Sequence, residues 1–209
     1  MGRLSALGRS PHDWLQGAGR RLRWLGWLAV GTLLLATRAR PPAAQTPAAH
    51  RAAYPQAEAH LQGGPLASGL QGRVEFEAAP EGTLVRVEVS GLPAYRPGSP
   101  PIGPHGFHVH AVGDCTVGDP ADPFLAAGPH FDPDGQPHGN HAGDFPVLFS
   151  QGQGGQARLT FLTGRLRPEQ VVGRSVIVHE NPDDFRTQPA GASGRRLACG
   201  VIQPVRPSR

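Results

Sequence analysis

From residue 57 onward, apolar and polar residues alternate over short runs, each bounded by glycine or proline. In Thr83–Val89, Val85, Val87 and Val89 share one face while Arg86 and Glu88 take the other, the period of two of a half-buried strand. Arg73–Ala78 alternates in the same way, and Ala79-Pro80-Glu81-Gly82 between the two runs predicts a hairpin turn. Further strands are predicted at Ala57–Gln62, Phe107–Val112, Phe145–Ser150, Ala157–Leu162, Ser175–His179 and Ala198–Gln203, with a turn at Gln151–Gly155. A helical period is missing everywhere except for a single turn at Pro168–Val171. The pattern predicts an all-β fold: an antiparallel Greek-key β-sandwich or flattened barrel of about eight strands. Two segments, Cys115–Asp144 and Glu180–Arg195, are too long for simple connections, and loops of that length in a compact domain are usually functional.

The N-terminal part follows different rules. Arg3, Arg9, Arg20, Arg21 and Arg23 precede a 13-residue apolar run, Trp24–Ala36. A membrane span needs about 20 apolar residues, whereas the apolar core of a secretory signal has roughly 7–15. Residues 1–39 therefore read as a signal peptide, with an uncleaved membrane anchor as the alternative. Residues 40–56 are Ala/Pro-rich without an apolar period and read as a linker, leaving 57–205 as one domain. The chain is expected to be exported: periplasmic, extracellular or tethered to the outer face of the cytoplasmic membrane.

Composition supports this division. The formal charge of +4 hides eight arginines against one acid in residues 1–51, and twelve arginines against fifteen acids in residues 52–209. The folded part is thus mildly acidic, and no nucleic-acid partner is expected. Every basic residue except histidine is arginine, which excludes lysine Schiff-base chemistry and a P-loop lysine. The 29 glycines and 23 prolines, about a quarter of the chain, fit a turn-rich β-protein. In an exported chain, the two cysteines, Cys115 and Cys199, predict one disulfide, with two buried thiols as the alternative.

Histidine is the informative residue type. His108-Val109-His110 lies on a predicted strand, so both imidazoles point to one face, as metal ligands or as packing histidines. His130, His138, His141 and Asp144 form a set of three nitrogens and one carboxylate, which suits tetrahedral zinc, although a polar turn-rich loop would also contain such residues. His179 ends an apolar strand and, alone, reads as structural. Taken together, a His130 that offers both ring nitrogens gives a four-histidine site, suited to copper, and a His₃Asp site. His105 reads as a packing histidine.

The segments GFHVH (106–110), GPHFDP (128–133), HGNHAGD (138–144), VIVHENPDD (176–184) and GRRLACGVI (194–202) resemble, in order, the signature segments of copper/zinc superoxide dismutases, most nearly the exported bacterial branch. The resemblance implies that the substrate is superoxide and that each subunit holds one copper and one zinc. It implies copper ligands His108, His110, His130 and His179, and zinc ligands His130, His138, His141 and Asp144. Asp183 would link a copper histidine to a zinc histidine. Cys115 and Cys199 match the family disulfide. His130 and Arg196 would be the catalytic residues, the first carrying a proton to the product and the second holding the anion. A homodimer is left open, since family branches pair through different faces. The alternative function is a non-catalytic zinc- or copper-binding module of the same fold.

The chain also departs from the family pattern. The segment between His179 and Arg196 is shorter than in animal cytosolic members and lacks their lysine and acidic pair, so anion attraction falls to Arg186, Arg195 and Arg196. Ala94–Pro104 (AYRPGSPPIGP) is longer and richer in proline than is usual before the His-x-His strand, and the sequence assigns it no role.

Overall fold

A computed structural model describes residues 56–205, so the signal, anchor and linker readings of residues 1–55 lie outside the described residues. Among the described residues, seven strands form one antiparallel sheet: β1 (Ala57–Gly63), β2 (Gln71–Ala79), β3 (Gly82–Ser90), β4 (Phe107–His110), β5 (Ala157–Thr163), β6 (Ser175–His179) and β7 (Arg196–Pro204). Their order is β4-β6-β7-β1-β2-β3-β5, so the chain crosses the sheet between β3 and β4, between β4 and β5, and again between β5 and β6. The α-helical turn α1 is Pro168–Val171, where the sequence places it, with its proline at a position whose N–H has no intrahelical role.

The expected alternation is present. Val85, Val87 and Val89 of β3 are buried with Ala57, Ala59 and Leu61 of β1 and Val74 and Phe76 of β2. The predicted β2–β3 hairpin is closed by the Ala79–Gly82 pair, and Gly82 has φ +151°. Strands β4 and β6 differ from the others in being buried at every position. Phe107, Val109, Val176 and Val178 enter the main core, whereas Ile177 joins a second cluster with Phe124, Ala127 and Cys199. By the period of two, His108, His110 and His179 share the side opposite the main core, where the two long loops cover them.

Two predicted strands change. Phe145–Ser150 is not a strand. Its buried residues, Phe145 and Leu148, are three apart, and Pro146 has no N–H for a ladder. It keeps one bridge to His105, through Leu148, and runs into a turn closed by the Gln151–Gln156 bridge, so it fills the place of an eighth strand between β4 and β5. Phe107–Val112 stops at His110, because the N–H groups of Ala111 and Val112 turn to the carbonyls of Pro129 and Ala127 in the first long loop.

Cys115 and Cys199 form the predicted disulfide, 84 residues apart in sequence, fastening the start of that loop to β7. On the chain-entropy model such a closure stabilises by about 4–5 kcal/mol.

Candidate metal centre

The first long loop returns along β4. Phe131 N–H donates to Val109 O, Val109 N–H to Gly143 O, and Gly143 N–H to Phe131 O, at 2.8, 3.0 and 2.9 Å. This three-way pairing sets His130 beside His110 and Asp144 beside His108. Position 143 must be glycine for so close an approach, since a Cβ there would sit 2.4 Å from Val109 O. The second long loop then brings Asp183 over the histidines.

Seven residues thereby form two donor groups. His108, His110, His130 and His179 make one, and His130, His138, His141 and Asp144 the other; within each group the donor atoms lie within 4.8 Å of one another. His130 belongs to both. Its Nδ1 lies 2.9 Å from Asp144 Oδ1, while its Nε2 is buried without a hydrogen-bond partner.

The remaining ring nitrogens sort cleanly. His108 Nε2 and His138 Nε2 donate to the two oxygens of Asp183, each at 2.8 Å. His110 Nδ1 donates to Gly128 O at 2.8 Å and His179 Nδ1 to Gly194 O at 3.2 Å. Each of these bonds fixes a tautomer and turns the other nitrogen's lone pair inward. As a result, His110 Nε2 and His179 Nε2 face each other at 3.2 Å with no proton between them, and His108 Nδ1, His138 Nδ1 and His141 Nδ1 are buried without partners. Buried lone pairs that converge without a donor are costly unless a cation occupies the space between them.

Electrostatics agree with this. Burial, reinforced by the neighbouring histidines, pushes His108 and His110 well below the usual imidazole range, and burial first of all lowers His179 to about 3. His130 is also lowered, mainly by burial. These rings are neutral and ready to ligate at neutral pH. Burial would raise Asp144, but its bonds to His130 and the Gly139 N–H, with His138 alongside, outweigh burial and hold it far below the carboxylate range.

A histidine whose folded value is depressed takes up protons more readily in the unfolded chain, so stability is lost as pH falls below the unfolded value of about 6.5. Asp144 adds to this loss below about pH 4, where its unfolded form takes up a proton that the folded form does not. The metal-free protein is therefore expected to lose thermal stability steadily between pH 6.5 and 4, as read by calorimetry. A flat transition temperature over that window would contradict the burial of neutral histidines.

Arg196 lies at the start of β7. Its Nη1 donates to Phe124 O at 2.5 Å and its Nη2 to Gly128 O at 2.7 Å. Gly128 O is also the acceptor for His110 Nδ1, so one carbonyl ties the guanidinium to the four-histidine group. Arg195, by contrast, is engaged in a two-point ion pair with Glu180 at 2.8 and 2.9 Å. His105 is a packing histidine, fully buried between the carbonyls of His179 and Pro93.

Residues 70–202 match the sequence family described as copper/zinc superoxide dismutase (SODC). The chain belongs to this family. It is 43% identical over 153 residues to the Cu-Zn superoxide dismutase of Deinococcus radiodurans, covering 65% of this chain and 79% of that relative. It is 38% identical over 150 residues to Cu-Zn superoxide dismutase 2 of Brassica juncea, covering 64% of this chain and 90% of that one. The solved Cu/Zn superoxide dismutase of Brucella abortus aligns with a TM-score of 0.57 and 31% identity, over 70% of this chain and 98% of that structure. Membership implies copper and zinc as cofactors. The donor chemistry fits them: an all-nitrogen group for copper and a mixed nitrogen-carboxylate group for zinc.

Several residues shape the site through contacts that the sequence does not announce. Gly128, Gly194 and Phe124 act through backbone carbonyls, which any residue possesses. Gln188 grips His138 by N–H and carbonyl at 2.8 and 3.3 Å, and Arg165 Nη1 reaches Gly139 O and His141 O at 3.2 and 3.4 Å. Gly191, at φ +65°, has no room for a side chain, because a Cβ would fall 1.9 Å from Asp183 Oδ1.

Proposed function

We propose that the chain is a superoxide dismutase, with His108, His110, His130 and His179 holding copper and His130, His138, His141 and Asp144 holding zinc. The observation that carries this reading is His130, whose two ring nitrogens serve two separate buried donor sets. When bound, copper would supply one-electron exchange with superoxide, and zinc would supply a fixed positive charge.

The protein's own groups do the rest. Dismutation turns two superoxide anions and two protons into O₂ and H₂O₂. His130 is placed to hold one of those protons on Nε2, since Asp144 and the zinc side occupy the neighbourhood of Nδ1. Arg196 binds and orients the anion. Its two carbonyl contacts lock the guanidinium in one pose, and its positive charge is retained although burial lowers its pKa. Because Arg195 is paired with Glu180, attraction of the anion rests on Arg196 and the exposed Arg186.

Arg196→Ala is expected to lower kcat/KM for superoxide by about tenfold or more and to flatten its decline with ionic strength. Stopped-flow disproportionation at several salt concentrations measures both, and an unchanged rate and slope would remove Arg196 from the mechanism. The alternative, a non-catalytic metal-binding module, is separated by metal analysis joined to turnover: zinc alone without disproportionation would support it.

We also infer that the protein works outside the cytoplasm. The disulfide and the arginine-flanked apolar run Trp24–Ala36 support this. Fractionation of cells expressing the full chain tests it, and recovery in the cytoplasm would defeat it.

A further inference from the structure

The proline-rich segment Ala94–Pro104 is a hairpin standing against the loop that follows His179. Arg96 and Ile102 exchange both backbone hydrogen bonds, at 3.1 and 3.0 Å, and close its base. At one foot, Pro93 O meets His105 Nε2 at 3.0 Å, and His105 Nδ1 reaches His179 O at 2.8 Å. At the other foot, Gly103 N–H donates to Glu180 O at 2.9 Å. Gly103 has φ +60°, and a Cβ added there would lie 3.2 Å from His105 Nε2, so the two feet meet at one imidazole.

Glu180 passes the contact on. Its N–H donates to Arg195 O at 2.9 Å and its carboxylate takes the Arg195 guanidinium at two points, holding the residue next to Arg196. The hairpin thus touches the Glu180 carbonyl directly, reaches the His179 carbonyl through the His105 ring at its feet, and through Glu180 meets the start of β7. The other donor group is held differently, by Arg165 on Gly139 and His141 and by Gln188 on His138.

We propose that the hairpin Ala94–Pro104 is a positioning brace for the copper half of the site, setting His179 through His105 and Arg196 through Glu180 and Arg195. The metal assignment rests on the function proposed above; the brace itself rests on the backbone contacts. Gly103 and Glu180 are its positioning residues, and neither belongs to a donor group.

Three full-length variants test it. One deletes Tyr95–Ile102, one is Gly103→Ala, and one is Gly152→Ala, a control with similar strain at φ +64° but nothing within 4 Å of the new Cβ. In the metal-free chains, hydrogen exchange at the Glu180 and Asn181 amides should quicken about tenfold or more in the first two variants, with Gly139 and His141 nearly unchanged. In the metal-loaded chains, copper should pass to a chelator about 10–100-fold faster while zinc release changes little. The Cu²⁺ electron-paramagnetic-resonance hyperfine splitting should also shift in Gly103→Ala and not in Gly152→Ala.

Equal acceleration at both halves, or a control that behaves like Gly103→Ala, would reduce the hairpin to a general stabiliser and overturn the proposal. Unchanged exchange and release would overturn it as well. If the parent chain bound no copper, the functional reading would fail, while exchange in the metal-free chains would still decide the brace. Should the deletion not fold, Gly103→Ala decides the case alone.

Discussion

His130→Ala is expected to abolish disproportionation and to leave neither metal tightly held. The substitution removes a nitrogen from both donor groups at once, and the new cavity lies between rings stacked as closely as His108 and His130, whose centroids are 4.0 Å apart. Losing a direct ligand should cost more than the roughly 10–100-fold in metal affinity that follows loss of an outer hydrogen-bond partner. Because His130 lies in a covering loop and not in the sheet core, far-ultraviolet circular dichroism should stay that of a β-protein. Metal analysis after dialysis and a disproportionation assay check the expectation. Retention of one copper and one zinc with normal turnover would sink the shared-histidine reading.

Asp183→Ala should produce the second-largest effect. Its carboxylate is buried and accepts from His108 on one side and His138 on the other, and also from the Phe185 N–H at 2.7 Å. Removing it frees two imidazoles to rotate or change tautomer and leaves two buried N–H groups unpaired, at about 1–3 kcal/mol each. Affinity should fall about 10–100-fold for both metals in parallel. Competition with chelators of graded strength measures this. A loss confined to one metal would show that Asp183 orients one ring alone. Asn should rescue only partly, since its amide has one acceptor oxygen for three donors.

The period of two in Thr83–Val89 fixed which residues face the core, and parity placed both rings of His108-Val109-His110 on one side. The cysteine pair was legible because two cysteines allow a single pairing. Phe145–Ser150 was not, since its apolar composition hides that Phe145 and Leu148, three apart, are the buried pair. The grouping of His179 with His108 and His110 depends on antiparallel pairing between β4 and β6, far apart in sequence. Even less accessible were the contacts of Gly128, Gly194 and Phe124. Their carbonyls act by position, which the fold supplies and the side chain does not announce. The role of Ala94–Pro104 stayed hidden for the same reason, because its feet bind through backbone groups.

Strands β4 and β6 are walls with two finished sides, and neighbouring letters in them answer to separate selective demands. A change at Phe107, Val109, Val176 or Val178 is felt as melting temperature, whereas a change at His108, His110 or His179 is felt as metal content. The barrel can therefore drift, stiffen or be redesigned on one parity while the reactive inventory on the other is held constant. Loss of the histidines in turn would leave an intact shell, free to be recruited for tasks that need no redox chemistry.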